Sequence, residues 1–303
     1  MIDWRDPNKN LANVSWVKGK GRVRPHQVSD DGMLRAIYRP LICTTAYGPD
    51  LYYQCLRLFL ESLVEFGAYE GSIAVFCDRT VPQLLEYVPP LLNKQLVVKC
   101  MSPLDHTARY CIDEEDIAGH SPVLYLDSDI IVNREINYVL ESIAAQNGVC
   151  VTTEELTYPD LCSSEISVLQ DVQRIGNWWG LELLRADKEC ADKVLPLANS
   201  GIIGFNNYDV FKLVAHLVYQ LYRHPMHKDV AKYFGDQPFF NYVLVKTRLG
   251  AYEALRGMCD FTGAWQAFPR EKRGFVHFNW ALGEDKSRRM KLYLDELRSH
   301  RGT

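Results

Sequence analysis

The run PVLYLDSDIIV at 122–132 constrains this chain more than any other segment. Four apolar residues lead straight into Asp127 and Asp129, and three apolar residues follow. Two carboxylates at i and i+2 within such a run are costly to bury unpaired, so the fold must bring a cation or strong donors to that point. Hard oxygen ligands suit Mg2+ or Mn2+, and a divalent ion chelated there can in turn bind a diphosphate. The plainer reading makes the two acids caps of a turn at a strand end.

The segments around this run alternate between the two periods of regular structure. LICTTA at 41–46 reads as a short buried strand, and it runs into Tyr47-Gly-Pro-Asp50, a turn with Asp50 as a helix N-cap candidate. Apolar residues at Cys55, Leu56, Phe59, Leu60, Leu63 and Val64 predict a helix over 51–66, stopped by Gly67. A second strand is predicted over 72–77, followed by Asp78, then a helix over 81–92 and a third strand over 96–100. This alternation predicts an α/β chain with a largely parallel, Rossmann-like sheet flanked by helices, in which ligands sit at the carboxyl ends of the strands. Near residue 150 the clean alternation gives way to a mixed second half. There is no internal repeat and no low-complexity tract.

Composition narrows the class. The 303 residues are 47% hydrophobic and 24% charged, as in ordinary globular proteins. A net charge of -4 gives no global reason to bind nucleic acid, and none is expected as a partner. The nine cysteines are odd in number and never spaced C-x-x-C, so free thiols explain them better than disulfides or zinc. The N-terminus MIDWRDPNKN has no apolar signal core, and no stretch approaches about 20 apolar residues. The expectation is a cytoplasmic protein.

DxD also occurs after an apolar strand in haloacid-dehalogenase-like phosphatases. There the motif normally opens the domain and continues with Thr or Val two residues after the second acid, whereas here it lies deep in the chain and Ile131 holds that place. Four segments point elsewhere. LYLDSDIIV at 124–132, NSGIIGF at 199–205, GDQPFFN at 235–241 and FVHF at 275–278, with an Arg109-Tyr110 pair ahead of the first, follow one another in an order that resembles glycosyltransferase family 8. That is the retaining GT-A group that includes bacterial lipopolysaccharide galactosyltransferases and glycogenin. The resemblance spans roughly residues 40–286 and implies a GT-A fold in a single catalytic domain.

The resemblance also implies roles. Asp127, Asp129 and His277 would hold the metal, Mn2+ in preference to Mg2+, with Asp127 and Ser128 also at the donor. Arg109 would face the donor sugar and phosphates. Asn199, Ser200 and Gly201 would line the sugar pocket. Asp236 and Gln237 would sit at the anomeric carbon, with Asp236 on sugar hydroxyls and the Gln237 amide oxygen against developing positive charge. The family shows His-x-x-Gly-x-x-Lys; this chain keeps Gly283-x-x-Lys286 three residues further on, and Lys286 would add a second cation at the diphosphate. Thr44, Thr45, Ala46, Tyr47 and Asp78, at the ends of the first two strands, would form the base and ribose end, with Tyr47 able to stack on uracil.

The resulting expectation is a metal-dependent transferase using a UDP-sugar with retention of configuration. The motifs leave the acceptor open among glycans, lipids, proteins and small molecules, and they leave the oligomeric state open. Two alternatives stand beside it: an inverting GT-A enzyme with Glu154 or Glu155 as base, and a non-catalytic nucleotide-sugar-binding protein. Trp178-Trp179 reads either as a satellite core or as a stacking platform for an acceptor glycan, with Trp265 and Trp280 equally ambiguous. The domain over 40–283 is flanked by two basic segments. The extension over 1–39 carries eight Lys/Arg against four Asp, with Trp4 and Trp16 able to dock on the body. The tail over 284–303 carries six Lys/Arg with Met290, Leu294 and Leu297 on one helical face. Such a helix packs on its own protein or lies on the inner face of an anionic membrane, and packing is the expectation.

Overall fold

The computed structural model describes residues 38–300, apart from 94, 102–103, 163, 170–172 and 264–265, and the backbone alone at 26–28, 34–36 and 173–174. Strands β1 (His26–Val28) and β2 (Leu34–Ala36) pair antiparallel as a separate ribbon. Trp4, Trp16 and the rest of the basic extension lie outside the described residues, as does Trp265.

The main sheet grows from the predicted alternation. Strand β3 (Leu41–Ala46) is followed by helix α1 (Asp50–Glu65), strand β4 (Ser72–Cys77) and strand β5 (Leu96–Cys100). All six residues of β3 are buried, because helices cover both faces of the sheet. Helix α1 starts one residue earlier than the periodicity predicts, and Asp50 is its first residue while Pro49 holds the cap position. The helix expected over 81–92 is cut short to Val81–Leu85, with a separate 3-10 turn at Pro90–Leu92. Pro89 and Pro90 explain the break, since each disfavours a helical conformation in the residue before it.

The acidic run is where the structure departs most from a simple strand. Strand β6 (Val123–Leu126) ends before Asp127, and strand β7 (Ile130–Val132) begins after Asp129. They belong to different sheets. After β7 come helix α2 (Asn137–Ala144), strand β8 (Val149–Thr153), strand β9 (Ala198–Phe205), helix α3 (Tyr208–Arg223), helix α4 (Gln237–Thr247) and edge strand β10 (Gly250–Ala251). The seven-stranded sheet runs β10-β8-β9-β6-β3-β4-β5. Neighbours are parallel except at β9, which runs antiparallel to both β6 and β8. Strands β11 (Cys259–Gly263) and β12 (Phe275–Trp280) form a three-stranded sheet with β7, which runs antiparallel to β12. The mixed α/β architecture with a mostly parallel sheet flanked by helices is thus the one the alternation predicts.

One apolar core lies between the sheet and α1 and α2, and the other between the sheet and α3 and α4. A third cluster closes the chain. Helix α5 (Glu284–Ser299) buries Met290, Tyr293, Leu294 and Leu297 against Cys55, Ile131, Val276, Phe278 and Ala281. Arg298 ties it to Glu61 and Glu65 of α1. The apolar face of the basic tail is therefore spent on the protein's own core. No helix among the described residues is long and apolar enough to cross a membrane.

Helix α4 is fixed to β9 by one fully buried side chain. The Asn241 amide accepts from the Ala198 N–H at 2.9 Å and donates to the Ala198 carbonyl at 2.8 Å. Replacing Asn241 with Leu strands both backbone groups, each at about 1–3 kcal/mol when buried. Urea unfolding of Asn241→Leu should therefore show a lower midpoint with an unchanged slope, corresponding to a loss of ~2–4 kcal/mol.

Candidate functional site

The acids sit where the chain steps from the large sheet to the small one, at the carboxyl end of β6. Two backbone bonds hold the step: Asp127 N–H donates to the Gly201 carbonyl at 2.8 Å, and Phe278 N–H to the Asp129 carbonyl at 3.0 Å. The step is thereby fastened to β9 on one side and β12 on the other, which places His277 of β12 against both carboxylates. Its Nε2 lies 3.0 Å from Asp129 Oδ1 and 3.8 Å from Asp127 Oδ2. One ligand atom from each of Asp127, Asp129 and His277 can be chosen so that all lie within 4.8 Å of one another. This is a group that can hold a divalent ion. Holding an ion through Nε2 requires the proton on Nδ1, which is buried and has no hydrogen-bond partner among the described residues.

Gly201 shows how close the backbone comes. A Cβ added there would lie 2.4 Å from His277 Cε1 and 2.6 Å from Asp127 Oδ2, so any side chain at this position would displace the proposed ligands. This is the physical reason for glycine in NSGIIGF.

Two cations from distant parts of the chain balance the acids. Lys286, in the first turn of α5, pairs with Asp129 Oδ2. The three extra residues between His277 and Lys286 are absorbed by the end of β12 and the turn at Gly283, whose φ is +55°. Burial works against ionising Asp129, but Lys286 and His277 outweigh it and hold the carboxyl well below the ordinary aspartate range. Arg109 stands on a 3-10 turn at Ala108–Tyr110, with Nη2 3.2 Å from Asp127 Oδ1 and Nε 3.9 Å from Asp236 Oδ2. Its Nη1 donates to Ser200 Oγ at 3.1 Å. Burial disfavours the guanidinium charge, and the two carboxylates overcome it, raising the pKa well above the ordinary value.

The remaining segments close around Arg109. Asp236 occupies the N-cap position of α4, yet its side chain does not cap the helix; it accepts from Tyr110 Oη at 2.7 Å. Gly235, with φ +68°, makes the turn that presents it. Gln237 Oε1 accepts from the Ser200 N–H at 3.2 Å. Asn199 Oδ1 takes the Gly201 N–H at 2.8 Å, while its Nδ2 donates to Glu154 Oε1 at 2.9 Å. Ser128, 8% exposed, lies between the two acids.

At the other end, Thr45 and Tyr47 reach the site and Thr44 does not. Thr45 Oγ1 meets Tyr125 Oη at 2.7 Å, and Tyr125 Oη donates to Asp127 Oδ1 at 2.7 Å. Tyr47 is half-buried; burial raises its pKa, Arg109 works to lower it, and Asp127, Asp236 and Asp105 add to the rise. Thr44 and Ala46 are 0% and 1% exposed. Asp78 acts on the turn after β3, accepting from the Gly48 N–H at 2.8 Å and from Tyr53 Oη.

One residue of the site, Tyr125, escaped the motifs, and the structure divides the ambiguous glutamates and tryptophans. Tyr125 is hidden within an apolar run, although period-2 alternation puts it on the same side as Asp127. Glu154 is 1% exposed, and Glu155, the other candidate base, is instead committed to Arg256 at 2.8 Å. Burial raises the Glu154 pKa despite the bonds and charges of Asn199 and His277 that lower it. The tryptophans divide. Trp179 is a core residue edge-on to Tyr158, whereas half-buried Trp178 meets Trp280 and Phe234 with ring centroids 5.6 Å and 5.2 Å away. A cavity of about 760 Å³ is lined in part by Phe239, Tyr242 and Lys246 and by none of the residues of this polar cluster.

No family model matches the sequence, and no curated protein matches it. Among solved structures the chain is similar to the glycosyltransferase GlyE of Streptococcus pneumoniae TIGR4, with a TM-score of 0.44 and 15% identity over 71% of this chain and 45% of that one. The chain thus spans less than half the length of that structure.

The Lys286–Asp129 pair predicts a measurable pH dependence. Both side chains are slightly exposed and His277 remains as a partner, so Lys286→Met should cost ~1–3 kcal/mol, less than a fully buried pair. Because Asp129 is held below the unfolded aspartate range, the pair's contribution is complete above about pH 4 and fades as pH falls towards the folded value. Melting curves of wild type and Lys286→Met should therefore differ at pH 7 and converge in acid.

Proposed function

We propose that this chain is a metal-dependent glycosyltransferase that moves a sugar from a UDP-sugar to an acceptor hydroxyl with retention of anomeric configuration. The observation that carries this reading is convergence. Arg109, Asp127 with Asp129, Asn199 to Gly201, Asp236 with Gln237, His277 and Lys286 come from six separate segments and form one linked polar cluster. The order and type of these residues are those of the family 8 resemblance.

An ion held by Asp127, Asp129 and His277 would supply Lewis-acid stabilisation of the departing diphosphate. The chain's own groups do the rest. Arg109 and Lys286 present cations to the phosphates, fixed in place by the carboxylates they pair with. Asp236, Asn199 and Ser200 offer donors and acceptors for sugar hydroxyls. Gln237 is a neutral amide and a poor nucleophile, so its carbonyl serves to stabilise positive charge at the anomeric carbon while the acceptor attacks from the leaving-group face. Asp78, by holding the turn at Gly48, positions Tyr47 for the base. Trp178 with Trp280 provides a partly open aromatic wall for an acceptor.

A thermal-shift panel of UDP, GDP, CDP and dTDP, each with and without Mn2+, tests the reading. UDP with Mn2+ should raise the melting temperature, by about 2 °C or less for each kcal/mol of linkage in a chain this long. Asp129→Ala should abolish that shift. Absence of a shift with every nucleotide would sink the proposal. Once a donor is found, proton NMR of the first product should show the anomeric configuration of the donor. An inverted product would move the reaction to the inverting class, with Glu154 as the carboxylate beside the sugar groups.

A further inference from the structure

A pair of thiols stands outside the site just described. Strands β4 and β5 run parallel with Cys77 directly opposite Cys100 in register, both at the strand ends. Directly opposed residues on neighbouring strands lie about 4.8 Å apart and project to one face, inside the separation that a disulfide spans. Their sulfurs converge on one acceptor: Cys77 Sγ lies 3.3 Å and Cys100 Sγ 3.0 Å from the Arg79 carbonyl oxygen. The other strand cysteines face different partners: Cys43 opposes Ala74 and Tyr125, Cys150 opposes Ala251 and Gly204, and Cys259 opposes Phe275. Access is asymmetric, since Cys100 is exposed and Cys77 is fully buried.

We propose that Cys77 and Cys100 form a peroxide-oxidisable dithiol, with Cys100 the attacked thiol and Cys77 the resolving one. The Cys100 thiolate attacks one oxygen of hydrogen peroxide; the O–O bond breaks, the departing hydroxide takes a proton to become water, and Cys100 becomes a sulfenic acid. The Cys77 sulfur then attacks the Cys100 sulfur, the S–O bond breaks, and a second water leaves with the Cys77 proton. Two thiols and one peroxide become one disulfide and two waters. Burial, with Cys100 close by, pushes the Cys77 thiol up to about 11, so it is poorly reactive towards peroxide itself and needs only the intramolecular step.

The consequence falls on one turn. The disulfide removes both S–H donors from the Arg79 carbonyl. The Arg79 guanidinium lies 3.7 Å from the Tyr53 ring centroid and pairs with Asp50, and the preceding residue, Asp78, holds the Gly48 N–H. Oxidation therefore acts on the segment that carries Tyr47.

The test uses the full chain, reduced and then treated with a small excess of hydrogen peroxide. Intact mass should fall by two hydrogens, non-reducing peptide mapping should link the Cys77 and Cys100 peptides, and dithiothreitol should reverse both. In Cys77→Ser, Cys100 should instead gain oxygen and be trapped as a sulfenic acid by dimedone. Two unchanged thiols in the wild type, or a disulfide between other cysteines, would overturn the proposal. So would stable over-oxidation of wild-type Cys100, and the wild-type map decides even if a variant fails to fold.

Discussion

The structure depends on accommodating two carboxylates at a point where the chain leaves one sheet and enters another. Asp127 and Asp129 are flanked on both sides by strands with fully buried residues, so neither can be left to water alone. The fold meets this with cations drawn from far along the chain, Arg109 from one side and Lys286 from the other. Buried pairs of this kind add little net stability, because desolvation offsets much of the attraction. Their effect is on specificity of arrangement: an incorrect docking of α5 would leave Asp129 without its lysine. That helix, read from sequence as a tail, is for this reason part of the site as well as of the core.

Neutral groups then fix the directions of the charged ones. Tyr125 bridges Thr45 and Asp127, Tyr110 holds Asp236, and Asn241 fastens α4 so that Gln237 meets Ser200. Each is a rigid or short side chain with one to three hydrogen bonds, and each acts through a residue that bears the chemistry. Asp236 illustrates the trade. Its position at the start of α4 would let it cap the helix, but its carboxylate is turned to Tyr110 and Arg109, leaving the helix start to the proline after Gln237, which has no N–H to satisfy.

Much of this was legible in the sequence, for identifiable reasons. The strands over 41–46 and 72–77 were readable because parallel strands buried on both faces appear as unbroken apolar runs, and the partly exposed edge strand over 96–100 still carries a short Leu-Val-Val run. The acids announced themselves by the cost of burying them. The step between sheets was not readable, because Ile130 to Val132 are equally apolar whichever sheet they join, and only pairing with β12 distinguishes the two. The antiparallel placement of β9 is likewise a property of partners far apart in sequence. The reach of Lys286 could not be read from spacing, since the turn at Gly283 absorbs the three added residues. Trp178 and Trp179, adjacent and identical in type, went to a surface cluster and to the core because successive residues on a helical turn point in different directions.

Charge balance connects the cluster to the proposed chemistry. Three carboxylates, Asp127, Asp129 and Asp236, face two cations, Arg109 and Lys286. A divalent ion entering alone would leave an excess of positive charge in a poorly solvated site, and a diphosphate entering alone would meet the acids without its full complement of cations. Together they cancel: the ion neutralises part of the diphosphate, and the lysine and arginine can turn from the acids towards the phosphates. On the proposed reading, ion and nucleotide therefore bind as one event, each supplying the charge that makes the other tolerable. On that reading the cluster needs both kinds of cation. Arg109 offers a planar fork that can share Asp127 and a phosphate at once, while Lys286 is a single mobile charge that can transfer from Asp129 to the leaving group as the bond to the sugar breaks.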